Sequence, residues 1–481
     1  MRILIASSEA YPYSKTGGLA DMVSALAKAM ARAGHLTGLV SPLYSGIRER
    51  YPDLVKVGMP LELTLGTETV SGEVWCREPE PKLRHYFVEQ PGFFQRATLY
   101  QQFGMDFPDN AERFIFFSKA VAYLGQHLDW RPDIVHLNDW QTGLTALFLE
   151  HQRRAGGMAR TPKTCFTIHN LAYQGLFPPA KYPLTNLPWD YFTAEGVEFY
   201  GQLSALKAGL AYSEQLTTVS PRYAREITTE EYGCGMDGLL RYRQKFLSGI
   251  LNGVDYDEWN TLQNRFLAHP YSVEDLTGKA AEKRALQEKL GLQVDASIPL
   301  FGNVGRLVEQ KGTDILLPAL EQALAGRMQF VLVGTGAPTF EAAFSALAHR
   351  HPGKVAVKIG YDEALSHQVE AGCDFFVMPS RFEPCGLNQM YSLRYGTVPL
   401  VRAVGGLDDT VVDIKEDAQA ASGIKFHQYA PAALAKAFQK AVVLFGEKDL
   451  LHHFRCNGMA TDFSWKRTMG DYLKVYEQAK V

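Results

Sequence analysis

The chain has 481 residues, 46% of them hydrophobic and 21% charged, and its 49 basic and 52 acidic side chains leave a formal charge of −3. That length suggests two to three domains, and that balance gives no electrostatic case for nucleic acid or an acidic membrane as the main partner. Six scattered cysteines (Cys76, Cys165, Cys234, Cys373, Cys385, Cys456) form no C-x-x-C pair, residues 1–8 are too short for a signal-peptide core, and no apolar run approaches membrane-spanning length. The expectation is a soluble, cytoplasmic globular protein.

Residues 2–7 read as a first strand. Glu9 to Asp21 follow, with Lys15, Gly17 and Gly18 between the strand and an apolar helical repeat, Met22, Val23, Leu26, Ala27 and Met30. Strand, Gly-Gly loop and helix start make a phosphate-binding geometry, in which backbone approaches a ligand closely and the lysine supplies a point charge. The spacing is neither G-x-x-x-x-G-K-[ST] nor G-x-G-x-x-G, and many such turns hold glycine for packing only. Short β-like pieces occupy 61–65, 70–75 and 83–88, before an aromatic loop, 93–107, and a helix over 111–128. Two strands then end in polar residues, one at His136, Asn138 and Asp139, the other at His169 and Asn170. Such ends line one sheet edge, where α/β proteins bind ligands. Each histidine, taken singly, is equally at home as a hydrogen-bonded core residue.

Ser248 to Asp255 reads as the crossing into a second domain. Asp255-Tyr-Asp257 spells D-x-D, which elsewhere holds a metal, but Asn-Gly-Val-Asp reads better as a linker turn. Residues 260–297 read as polar and helical, most clearly over 279–290. A second α/β series begins at Pro299. Arg306 and Lys311 lie five apart across a strand-to-helix turn, where both can face one anion such as a diphosphate; two solvated surface cations is the plainer reading. Buried strands at 329–334 and 355–359 follow, the latter leading to Tyr361.

Phe375 to Met378 is a further buried strand. It leads into Pro379-Ser-Arg-Phe-Glu383-Pro-Cys385-Gly386-Leu387-Asn388 and a helix start near Leu387. This places Glu383 and the backbone N–H groups of 385–387 on one turn outside the sheet's carboxyl end. Glu383 as a helix cap, or as a partner of Arg381, is the competing explanation. Gly405, Gly406 and Leu407 head a later helix or loop, and 463–476 is an amphipathic helix capped by Ser464.

The pattern is α/β, with two Rossmann-like doubly wound domains joined near 245–255 and facing a cleft. Residues 1–248 form the N-terminal domain, 249–458 the C-terminal one, and 459–481 a helix crossing back to the first. No acidic cluster or His/Cys spacing for a catalytic metal is evident. Cations and backbone N–H groups would instead stabilise a departing diphosphate, chemistry suited to a nucleoside-diphosphate sugar.

Six stretches together resemble the signature of bacterial glycogen synthases and plant starch synthases: Lys15 to Asp21, Phe166 to Gly175, Leu251 to Asp255, Val304 to Gly312, Ser380 to Leu387, and Gly405 to Leu407. The match spans essentially the whole chain in order and spacing. The resemblance implies a GT-B fold and retaining transfer of glucose from ADP-glucose to the non-reducing end of an α-1,4-glucan, with no metal or other cofactor. It implies that Arg306 and Lys311 bind the donor diphosphate, and that Lys15, Gly17 and Gly18 approach phosphate and glucose. It implies that His169 contacts the donor glucose, that Glu383 lies near the sugar 3-OH, and that Cys385, Gly386 and Leu387 present backbone to the donor. Asn252 and Asn388 join the donor set, Tyr361 stacks on adenine, and Asp139 and Asp21 lie on the acceptor side. Domain closure is expected to complete the site. Asn388 departs from the family's threonine or isoleucine, and Asp408 from its commoner alanine. The base stays open between adenine and uracil, and oligomeric state is not legible. A UDP-glucose-using GT-B transferase and a catalytically dead glucan-binding protein are the alternatives.

Overall fold

The structure is a computed structural model that describes residues 1–102, 104–156 and 161–480. The chain divides into two compact units. The first holds 1–219, 224–253 and the chain from Trp465 onward; the second holds Ser220–Tyr223 and Val254–Ser464. Residues 249–253 thus go with the first unit, and 220–223 and 459–464 with the second. Local contacts account for this. The Thr468 hydroxyl donates to the Leu251 carbonyl at 3.2 Å, and Trp465 packs so closely on Gly253 that a Cβ there would lie 2.6 Å from the indole. The Arg222 N–H donates to the Asp409 carboxylate at 2.6 Å and ties 220–223 to the second unit.

The first unit is built on one large sheet. Its parallel part runs, in spatial order, Leu247–Gly249, Gln215–Thr218, Lys163–Ile168, Ile134–Asn138, Arg2–Ala6, Leu36–Pro42 and Leu83–Glu89. Glu68–Glu80 then adds antiparallel, longer than the 70–75 piece read from sequence, and pairs with Leu61–Leu65 and Val55–Lys56. The central strands are buried on both faces, so apolar residues occupy consecutive positions in them, as in Ile3, Leu4 and Ile5 or Ile134 and Val135. Strand order reverses at Arg2–Ala6, with Leu36–Pro42 on one side and Ile134–Asn138 on the other. The crevice at that switch point is where an open α/β sheet takes its ligand. The helix Trp465–Lys480 lies on this unit; the Tyr476 hydroxyl is 2.8 Å from His136 Nδ1.

The second unit carries a six-stranded, all-parallel sheet. Its order is Val355–Ile359, Gln329–Gly336, Leu300–Leu307, Phe375–Met378, Val398–Arg402 and Ile424–Phe426. Alternate residues face opposite layers. Phe330, Leu332, Phe375 and Leu400 pack with Leu316 and Phe438, while Val331, Val333, Phe376 and Val401 pack with Leu286 and Val369. The switch point falls between Leu300–Leu307 and Phe375–Met378.

Two sequence expectations are corrected. Residues 260–297 are not helical throughout, since the helix is Thr277–Lys289. Ahead of it, Asn260 and Asn264 accept from backbone N–H groups of Gln263 and Phe266, closing local turns that compete with helix. The aromatic loop 93–107 begins with a helical turn, Pro91–Phe94, and holds a short hairpin, Gln101–Gln102 with Met105–Asp106. Its Phe103, like Val481 at the end of the last segment, lies outside the described residues. Among the described residues no helix is long and apolar enough to cross a membrane.

Candidate functional site

In the first unit three strand ends meet at the switch point. The end of Arg2–Ala6 leads into the loop carrying Lys15, Gly17 and Gly18, and the helix Gly18–Arg32 starts there. Glu9 organises this loop. It is 3% exposed, and its carboxylate accepts the Thr16 N–H and hydroxyl at 2.5 Å each, the Gly17 N–H at 3.4 Å and the Tyr100 hydroxyl at 2.7 Å. Gly17 has extended backbone, and a Cβ built on it meets nothing within 4 Å. Internal packing therefore does not require glycine there; the missing side chain leaves open space over the loop. Lys15 pairs with Asp21 at 2.8 Å, half-exposed, and lies 5.4 Å from the Tyr11 ring.

The neighbouring strand Ile134–Asn138 ends at Asp139, which adopts φ +57°. Its Oδ1 accepts the His169 N–H at 2.8 Å. Burial pushes its carboxyl up to about 7, against the pull of the His169 and Asn170 N–H groups, and Glu9 adds to the rise. An acid at that value can take or give a proton near neutral pH.

His169 lies 2.9 Å through Nε2 from Asn138 Oδ1, and the Asn138 amide donates to the Ala6 carbonyl, which fixes the amide's orientation. Nε2 therefore carries the proton and Nδ1 is the acceptor. Burial holds the ring neutral, its value lowered to about 3. His136 is a different case. It is fully buried, with Thr167 Oγ1 2.6 Å from Nε2 and Tyr476 on Nδ1, so it is a satisfied core histidine. Asn252, also in this unit, is 7% exposed, and its Oδ1 has no hydrogen-bond partner among the described residues.

In the second unit the turn after Phe375–Met378 carries Glu383, 5% exposed. Its partner is not Arg381, which instead lies 3.6 Å from Asp314, and Glu383 does not cap the helix. Lys311 Nζ donates to both carboxylate oxygens, at 2.9 and 2.6 Å, and the Ser380 hydroxyl donates at 3.0 Å. Lys311 stands at the end of the turn Glu309–Lys311, across the sheet switch from Glu383. Arg306, at the end of Leu300–Leu307, is exposed and donates to Gln310 at 3.2 Å. The two cations thus have separate partners rather than one shared one.

The 383–388 turn is clamped from two sides. Gln389, fully buried, donates to the carbonyls of Cys385 and Gly386 and to Thr410. The Gly406 N–H donates to the Glu383 carbonyl at 3.1 Å. Gly405 has φ +45°, and a Cβ there would lie 1.9 Å from the Glu383 carbonyl oxygen. No other residue fits that approach. The helix Asn388–Arg394 starts from Leu387. Asn388 spends its side-chain amide on the Val304 carbonyl at 2.8 Å, so the departure at this position has a structural use. Asp408 also finds one, pairing with the buried Lys425 at 3.0 Å. Tyr361, 77% exposed, follows Gly360 at the end of Val355–Ile359.

Glu9, Ser380 and Gln389 are neighbours of the candidate site that sequence reasoning did not single out. Glu9 is the one acid between the first strand and the glycines, which is a usable signal. Gln389 is a polar residue on the inner face of an apolar helix, a weaker one.

The chain matches two family models, "Starch synthase catalytic domain" over residues 2–242 and "Glycosyl transferases group 1" over 284–452. It is 46% identical over 477 residues to a glycogen synthase of Anaeromyxobacter sp. (strain Fw109-5), covering 99% of each chain. Among solved structures it resembles the catalytic domain of starch synthase IV from Arabidopsis thaliana bound to ADP and acarbose. The TM-score is 0.90 at 31% identity, covering 100% of this chain and 99% of that one. A sucrose-phosphate synthase from Thermosynechococcus elongatus, at 18% identity and TM-score 0.63 over 99% of this chain and 98% of that one, shares the fold.

Proposed function

Because the chain belongs to the family of glycogen synthases and starch synthases, and so is a GT-B glycosyltransferase of glycogen synthesis, we propose that it transfers glucose from ADP-glucose to the non-reducing end of an α-1,4-glucan with retention of configuration. The observation that carries the reading is the Glu383 turn. It offers a buried carboxylate with its charge already shared with Lys311, a glycine-clamped backbone, and a place at the sheet's switch point. Support for adenine comes from the ADP held by the Arabidopsis enzyme and from the exposed ring of Tyr361.

In this reading Arg306 and Lys311 engage the donor diphosphate and stabilise it as it leaves, so no metal cofactor is invoked. Lys15 and the backbone of Gly17 and Gly18 approach phosphate and glucose. His169, neutral with Nδ1 as acceptor, takes a sugar hydroxyl. Cys385, Gly386, Leu387 and Asn388 present backbone to the donor, and Asn252 offers its side-chain carbonyl. Asp139 and Asp21 meet the acceptor. Two glycosidase-like carboxylates are not needed. Glu383, held by Lys311 and Ser380, is a poor free nucleophile and a good positioning acid. The acceptor hydroxyl attacks from the leaving-group face through an oxocarbenium-like state, and its proton passes to the departing phosphate. The six cysteines are free, in keeping with a cytoplasmic enzyme.

The test is glucose transfer to glycogen from ADP-glucose and from UDP-glucose in parallel. Faster incorporation from ADP-glucose is expected. A preference for UDP-glucose overturns the donor assignment, and glycogen binding without transfer overturns the activity.

A further inference from the structure

A cluster in the second unit shares no residue with the Glu383 turn. One carboxylate oxygen each from Glu258 and Glu363 and one ring nitrogen of His367 lie within 4.8 Å of one another. Glu363 and His367 are four apart on the helix Glu363–Gly372, so they share a face. Glu258 comes from the segment 254–276 that precedes Thr277–Lys289.

The histidine supplies an independent observation. It is 1% exposed, and its Nε2 is buried without a hydrogen-bond partner among the described residues. Leaving such a group unsatisfied is costly. Its other nitrogen, Nδ1, is 2.9 Å from the Tyr395 hydroxyl, and the Asn264 amide donates to that same oxygen at 2.8 Å. The ring is also fixed in plane. Trp259 stacks on it at 4.0 Å and 14°, and on Tyr391 at 3.6 Å and 6°. An imidazole with one nitrogen engaged by an oxygen, its plane locked and Nε2 unspent, on a side chain grouped with two carboxylates, is a preorganised ligand.

We propose that Glu258, Glu363 and His367 bind a divalent transition-metal ion of the zinc class. Imidazole nitrogen with two carboxylates suits zinc and its neighbours, whereas magnesium and calcium take oxygen sets. Zinc bonds of about 2.0–2.1 Å would bring tetrahedral ligand atoms to about 3.4 Å from one another, an inward movement of about an ångström, with water in the fourth position. Arg265, 3.7 Å from Glu363 and itself 73% exposed, is a weakly held competitor that can swing into solvent. The ion would cross-link the segment 254–276 to the helix Glu363–Gly372. The site shares no residue with the donor set, so its role is to brace the unit.

The experiment titrates zinc chloride into the full-length, chelator-treated protein by calorimetry in a non-coordinating buffer. It is repeated with Glu258→Gln and Glu363→Gln, both at half-exposed positions. One equivalent is expected to bind the parent chain, at least about tenfold more weakly to either variant, with a zinc-dependent rise in melting temperature that both variants lose. Absence of a stoichiometric site in the parent overturns the proposal. So does zinc binding that both variants retain unchanged, which would place the ion elsewhere.

Discussion

Each unit sets a lysine against an acid beyond the carboxyl end of its sheet, yet the two pairs are built for different tasks. Lys15 and Asp21 meet at 2.8 Å with side chains 38% and 31% exposed, next to a loop whose shape is held by a third residue, Glu9. Lys311 and Glu383 meet at 2.6 Å with the acid 6% exposed, and the pair is itself part of what holds its turn. An exposed pair contributes little and exchanges partners readily, whereas breaking a buried pair strands a charge. With the roles proposed above, the first unit separates ligand contact from loop support, and the second combines them in the same two side chains.

That contrast can be broken in order of expected effect. Glu383→Ala should lower turnover by at least about 10²–10³-fold, the scale of losing a transition-state electrostatic group, while ADP still binds; single-turnover transfer and ADP calorimetry separate the two. Normal turnover would remove Glu383 from the chemistry. Lys311→Met leaves Glu383 without its cation and should cost about 2–4 kcal/mol in urea unfolding as well as activity. A stability loss under about 0.5 kcal/mol would mean the second pair is as dispensable as the first. Glu9→Gln keeps shape but weakens the clamp on Thr16 and Gly17, so the KM for the sugar-nucleotide donor should rise about tenfold, worth about 1.4 kcal/mol, with a smaller change in melting temperature.

Asp139 gives a pH test. Its folded value of about 7 stands above the ordinary 3.8, so the folded state holds this proton longer than the unfolded chain. The stabilisation is complete below about pH 4 and is lost as pH rises to about 7. Asp139→Asn should flatten that decline, by on the order of 1–2 kcal/mol after allowing for partial solvent access, read as melting temperatures from pH 5 to pH 8. The smallest effect belongs to Lys15→Met. Stability should move by less than about 0.5 kcal/mol while donor affinity falls, and a larger stability loss would show that the exposed pair is structural after all.

The sequence carried the fold class well, because both sheets consist of apolar runs punctuated by glycine and proline. The motifs also placed Lys15, Lys311 and Glu383 on the loops that follow strands, and Arg306 near a strand end. What could not be read was partnership across the sheet. Glu383 finds Lys311, 72 positions away, only because the strands Leu300–Leu307 and Phe375–Met378 are neighbours, and strand order is not a local property. His136 and His169 end similar strands in similar company. One became core because Tyr476 arrives from the far end of the chain, and no periodicity near residue 136 announces that. Residues 260–276 misled because polar composition suits both an exposed helix and a run of asparagine-closed turns, and side-chain acceptors decided it.

The bond between Tyr476 and His136 has a consequence for how the protein is made. Its partners are 340 positions apart, and the helix that brings Tyr476 also packs on Gly253 through Trp465. A ribosome delivers the chain from its first residue onward, and domains ordinarily fold in that order. Here the earlier unit waits. His136 stays without its phenol, and the surface that Trp465–Lys480 covers stays bare, until the whole of the later unit has been synthesised. The first unit to emerge is the last to be finished, and during that interval the face under Trp465–Lys480 stays uncovered.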